Sequence, residues 1–216
     1  FHVDRDGPFV VSSVSVTNDY ILIAGQYTDV HVIAAPGIAS PVAEYSGSVP
    51  VIGQRPKSRP TEHYQAHYMD GQVYNVVCQG NIGYVAAGQG GLHLVEVLPE
   101  VRRIRQEPTK DRVMDVELRN EYLYVAEGTE GLKIWRTGSP GELSYVGRYR
   151  VEGEFIRQVI VPEPGQYALV MVGSYSFHIV DLLDPQNPVC VFKEHGHGFL
   201  TGDNIADGLI SRRYVG

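Results

Sequence analysis

The sequence predicts an all-β fold. Three observations carry that prediction: short runs rich in β-branched and aromatic residues, turn formers between the runs, and a repeat of the whole pattern. "YVAEGTEGLKIW" (124–135) restates "YVAAGQGGLHLV" (84–95) forty positions on. Gly25, Gly88, Gly128 and Gly173 close the similar runs "YILIAG", "GYVAAG", "LYVAEG" and "ALVMVG", at spacings of 63, 40 and 45 residues. A period of 40–45 residues is that of a four-stranded blade. The expected architecture is therefore a β-propeller built from four-stranded antiparallel meanders.

The elements follow in chain order. The first unit (10–50) reads "VVSSVSV", "YILIAG", "DVHVIAA" and "VAEYSGSV". The second (71–110) reads "YNVVCQ", "GYVAAG", "LHLVEV" and "VRRIRQ". The third (111–154) is the clearest, with "RVMDVEL", "YLYVA", "LKIWR" and "LSYVGRYR" separated by "RNE", "EGTEG" and "TGSPGE". The fourth (155–198) reads "IRQVIV", "YALVMV", "SFHIVDL" and "VCVFKEH". The second runs are apolar almost throughout, as strands sandwiched between sheets must be. The fourth runs are more polar, as outer strands are. One meander cannot bury both of its faces; stacking the units radially does. Helix is expected in under about 10% of residues, against a usual third.

The long spacing marks an insertion at 51–70, "VIGQRPKSRPTEHYQAHYMD", which carries Pro56 and Pro60 and lacks strand alternation. Residues 199–216 read either as an incomplete fifth repeat or as the start of further blades in a larger propeller. The whole chain, 1–216, is expected to form one domain. An open arc of four blades would leave apolar faces bare, to be covered by a partner or by further chain.

"GYVAAGQGGLHLVEV" (83–97), "LYVAEGTEGLKIWRT" (123–137) and "FHIVDLLDPQNPVCVF" (177–192) resemble the LVIVD repeat of bacterial and archaeal β-propellers. The last stretch has the apolar run, then Asp181, then the "DPQNP" turn. The resemblance covers about 170 residues. The first unit departs from it, with "HVIAAPG" where an acidic residue would follow the apolar run. The resemblance implies a propeller of an exported or surface-associated protein and no particular chemistry. The glycines are expected in turns that need positive φ. Tyr84, Tyr124, Val125 and Ile134 are expected in the core. The WD-type signature is absent, because Trp135 is the single tryptophan and Arg136 follows it.

Composition narrows the function. Net charge is −7 with scattered Lys and Arg, which disfavours nucleic acid. No apolar run approaches the ~20 residues a membrane span requires. The chain opens with "FHVDRDGP" and reads as a processed or trimmed segment. Cys78 and Cys190 lie in strand-like runs, either as small buried residues or as a single disulfide.

Candidate sites are few. Arg55, Lys57 and Arg59, followed by His63, Tyr64, His67 and Tyr68, make a cationic, aromatic stretch on an acidic chain. Arg and Tyr are enriched where binding energy concentrates. His63 and His67 stand at i, i+4, the spacing of two metal ligands on a helix, with Asp70 as a third. Tyr64 occupies the place where the zinc-protease motif needs Glu. His195 and His197 stand at i, i+2, on one side of an extended strand. Asp4, Asp6, Asp203, Asn204 and Asp207 lie in glycine turns that could hold Ca²⁺ yet lack the spacing of a calcium loop. Asp115 and Glu117 alternate along a first strand, where they would line a channel. No nucleophile elbow is present. No cofactor is expected; Ca²⁺ or a transition metal is the alternative. The sequence thus reads as a non-catalytic binding or assembly module whose partner is another protein chain, in an oligomer or larger assembly. A propeller enzyme or metalloprotein using the histidines is the runner-up.

Overall fold

The computed structural model describes residues 11–17, 20–25, 29–34, 64–68, 71–97, 102–139 and 141–195. They form sixteen strands in four antiparallel sheets and no helix. The first sheet is β1 (Val11–Val16), β2 (Tyr20–Gly25), β3 (Asp29–Ala34) and β4 (Tyr64–Tyr68). The second is β5 (Asn75–Gln79), β6 (Ile82–Ala86), β7 (Leu92–Glu96) and β8 (Arg102–Glu107). The third is β9 (Asp115–Arg119), β10 (Tyr122–Ala126), β11 (Leu132–Thr137) and β12 (Leu143–Tyr149). The fourth is β13 (Ile156–Ile160), β14 (Tyr167–Val172), β15 (Ser176–Asp181) and β16 (Val189–His195). Each sheet is a meander, its strands paired in chain order. No helix among the described residues is long and apolar enough to cross a membrane.

One expected strand is replaced. "VAEYSGSV" (42–49) was the natural fourth run of the first unit, with the insertion following it at 51–70. In the structure β3 pairs instead with Tyr64–Tyr68, in the register Ile33↔Tyr64 to Asp29↔Tyr68. Although 51–70 as a whole lacks strand alternation, its short segment "YQAHY" has period two and carries two tyrosines. The extra chain is therefore the 29-residue connection 35–63 inside the first sheet, not a linker between the first two units. His67 therefore lies on an extended strand, and His63 lies outside the described residues.

The chain divides into two compact units, residues 1–106 and 107–216. In the first, Leu22, Ala24 and Val30 pack against Val76, Val85 and Val95 of the second sheet. In the second, Tyr124, Leu132 and Ile134 pack against Val159, Val170 and Val180 of the fourth sheet. Tyr84, Tyr124, Val125 and Ile134 are buried, as the repeat required. Gly88, Gly128 and Gly173 all have positive φ, at 54°, 49° and 58°. Each ends the second strand's run at a turn that other residues enter at a cost. At Gly128 the backbone also joins the sheets, since Ile156 N donates to Gly128 O at 2.8 Å.

Candidate functional site

Within each of the four sheets, strand register sets residues of the same repeat positions opposite one another. Val14–Ile23–His31, Val76–Val85–His93, Val116–Val125–Lys133 and Val159–Val170–His178 are successive cross-strand partners. The third strand thus carries a basic or imidazole side chain at one repeated place. Reading the four units one under another exposes this position: His31, His93, Lys133 and His178 all follow the first apolar residue of the third run.

Each described member has a polar seat. His93 is fully buried, with Nε2 2.8 Å from Gly90 O. Lys133 Nζ lies 2.6 Å from Glu127 Oε2 in a buried ion pair. The other Glu127 oxygen accepts from Lys110 N at 2.7 Å, so the carboxylate is satisfied on both sides. His178 Nδ1 is 2.6 Å from Tyr149 Oη, which reaches it from β12. Burial holds the His178 pKa below its usual value; Lys193 adds to this and Glu154 opposes it. Burial, followed by a hydrogen bond with Cys190, pushes the Tyr149 phenol well above its usual range. Near neutral pH both groups are therefore uncharged, and the contact is a neutral hydrogen bond between blades.

The acidic pair on β9 is committed in the same way. Asp115 is buried; Oδ1 accepts from Val116 N at 3.0 Å and Oδ2 from Val159 N at 2.8 Å. It clamps β9 to β13. Glu117 is half-buried, and desolvation raises its pKa against the pull of Arg119. Arg119 is held by Val161 O at 2.8 Å and Glu163 at 3.1 Å. Tyr124, opposite Glu117, is pushed by burial to a pKa of about 12. These groups form a seam between the third and fourth sheets.

The residues singled out in the sequence fall in two sets. Tyr64, His67 and Tyr68 lie on β4, which is last in its sheet. Arg55, Arg59, His63 and His197 lie outside the described residues, as do Asp4, Asp6, Asp70, Asp203, Asn204 and Asp207. His195 ends β16, exposed, with Nδ1 hydrogen-bonded to Ser176 Oγ. Among the described residues no group of three or more His, Cys, Asp or Glu side chains is placed to hold a metal ion. Cys78 and Cys190 are half-buried thiols, not a disulfide and less enclosed than expected.

The LVIVD repeat family matches residues 112–149, the third sheet with its flanking turns. No curated protein sequence matches the chain. Solved structures do. The Cps50 β-propeller domain of Myceliophteria thermophila superimposes with a TM-score of 0.61 at 14% identity, over 86% of this chain and 58% of that one. A putative 6-phosphogluconolactonase from Bacteroides fragilis gives 0.64 at 15% identity, over 93% and 60%. A computationally designed protein, Ika4, gives 0.52 at 6% identity, over 91% and 94%. At such identities the likeness shows the fold: the four sheets are propeller blades. The chain spans about three-fifths of the length of the two natural structures.

Proposed function

We propose that this LVIVD-repeat propeller is a non-catalytic binding module, with the 35–63 connection as its recognition element. One observation carries the reading. The connections between third and outer strands are 5, 5 and 7 residues long in the second, third and fourth sheets, and 29 in the first. Loops of that length in compact domains are usually functional or disordered, and rigid scaffolds carry function on their loops. Three cations, Arg55, Lys57 and Arg59, lie in it against two acids, Glu44 and Glu62, on a chain of net charge −7. A protein partner with an acidic surface suits that local reversal of sign. The charged groups inside the third and fourth blades support the reading from the other side, since Asp115, Glu127 and Lys133 are spent on holding strands and sheets together. Export to the periplasm or cell surface belongs to the same proposal and rests on the repeat resemblance alone.

The test replaces residues 36–62 with a short Gly/Ser linker, which leaves β3 and β4 in place. The expected result is an unchanged denaturation midpoint, with loss of the partners that the intact chain captures from extract. Retention of every partner at unchanged affinity would reduce the connection to a linker. A second reading, an enzyme on the propeller face, draws on the Bacteroides fragilis neighbour. Hydrolysis of 6-phosphogluconolactone by the purified chain, above the buffer rate, would favour it.

A further inference from the structure

The scattered cations of this acidic chain gather on one strand. β8 holds three arginines in four residues, Arg102, Arg103 and Arg105, around Ile104. The other outer strands, β4, β12 and β16, hold one Lys or Arg at most. Residues 102–106 are all exposed, Ile104 by 45%. Arg103 and Arg105 stand at i, i+2, on one face of the strand, and Ile104 on the other.

β8 is last in its sheet, so among the described residues no strand lies along its outer main-chain edge. Side chains hold both of its ends to its own sheet. Arg102 donates to Glu96 of β7, and Gln106 Nε2 donates to Gly90 O at 2.7 Å. The strand is thus a fixed, extended template.

Edge protection does not account for this composition. A single charge is enough to blunt a strand that would otherwise pair with its own kind. Three arginines also discriminate. β8 of a second copy would set arginine against arginine, which repels. An acidic strand would set carboxylate against guanidinium, the pairing that the arginine fork is shaped for. We propose that β8 is a docking edge for an acidic peptide, which adds to the second sheet as a fifth strand. Main-chain hydrogen bonds supply the affinity, and Arg103 and Arg105 supply the choice of sequence. This site is distinct in the chain from the 35–63 connection and stands or falls without it.

The probe is a labelled synthetic peptide that alternates Glu with Thr, titrated with the purified full chain at low salt and followed by fluorescence anisotropy. It is expected to bind, and a peptide alternating Lys with Thr is not. Edge pairing uses every second amide of the incoming strand. N-methylation of one alternate set of peptide amides is therefore expected to abolish binding, and methylation of the other set to leave it unchanged. These two arms do not alter the protein. Arg103→Glu combined with Arg105→Glu is expected to weaken binding at least about tenfold with an unchanged far-ultraviolet spectrum. Arg148→Glu, on β12, is expected to leave binding intact. The chain with 36–62 replaced by a linker is expected to bind the peptide as the parent does, whatever becomes of its other partners. A parent chain that does not bind overturns the proposal. So do two methylated peptides that behave alike, which would mean charge attraction without strand pairing. Loss of binding on excision of 36–62 also overturns it, by placing the peptide on the cations of the connection.

Discussion

His178 sits where a proton is unwelcome. It is buried on β15, with Tyr149 of β12 on Nδ1 and Lys193 of β16 nearby; only Glu154 favours the cation. Its folded pKa lies below 6.5, so in the window below pH 6.5 the unfolded chain binds a proton that the folded chain refuses. The group's contribution to stability is thus present above pH 6.5 and is lost as pH falls from there through the folded value. Denaturant midpoints measured from pH 8 to 5 should fall more steeply for the parent than for His178→Gln, which cannot titrate. Equal slopes would mean that His178 is not the group described. Ile134 is simpler. It is fully buried between the third and fourth sheets, and Ile134→Ala should cost about 2–5 kcal/mol in lost transfer energy and cavity. A midpoint unchanged within error would remove it from the core. Both residues belong to repeated positions. The apolar one was legible in the sequence because hydrophobic spacing announces strands. The polar one is legible only when the four units are placed in strand register, since a lone His in an apolar run carries no periodic signal of its own.

At the scale of elements, the Asp-Pro turn and the strand it touches work as a pair. Asp184 accepts from Gln186 N at 3.0 Å and Asn187 Nδ2 at 2.9 Å, which closes the turn and lowers the Asp184 pKa. The closed turn then presents the Pro185 and Gln186 carbonyls to Gly147 on the neighbouring sheet. Gly147→Ala drives a methyl into rigid backbone and should destabilise by about 1–3 kcal/mol. Gly138→Ala meets only the Glu142 side chain, at 3.4 Å or beyond, and should stay within about 0.5 kcal/mol. Equal effects would show that the turn does not dock there. The sequence displayed the turn but not its receiver, because nothing local marks Gly147 as a contact. The outer strand of the first blade was hidden for a related reason. Outer strands are polar and half-exposed, so five residues of "YQAHY" compete poorly, as a signal, with the more apolar "VAEYSGSV" nearby. Sheet pairing across 29 residues decided between them, and pairing is not a local property.

At the scale of the whole molecule, the period alone was enough to give the fold class, because every unit has to solve the same burial problem in the same way. The candidate site was less legible. Its cations and histidines were visible as composition, but their place in the architecture moved from between two blades to within one. That relocation is the central claim, and two excisions test it by equilibrium chemical denaturation. Replacing 36–62 by a short linker keeps β4, and the chain should unfold with the parent's midpoint. Replacing 54–68, which spans Tyr64–Tyr68, removes the outer strand of the first sheet and should lower the midpoint and broaden the transition. Equal midpoints for the two excised chains would contradict the account, since 64–68 would then be dispensable loop and the first blade would draw its fourth strand from elsewhere.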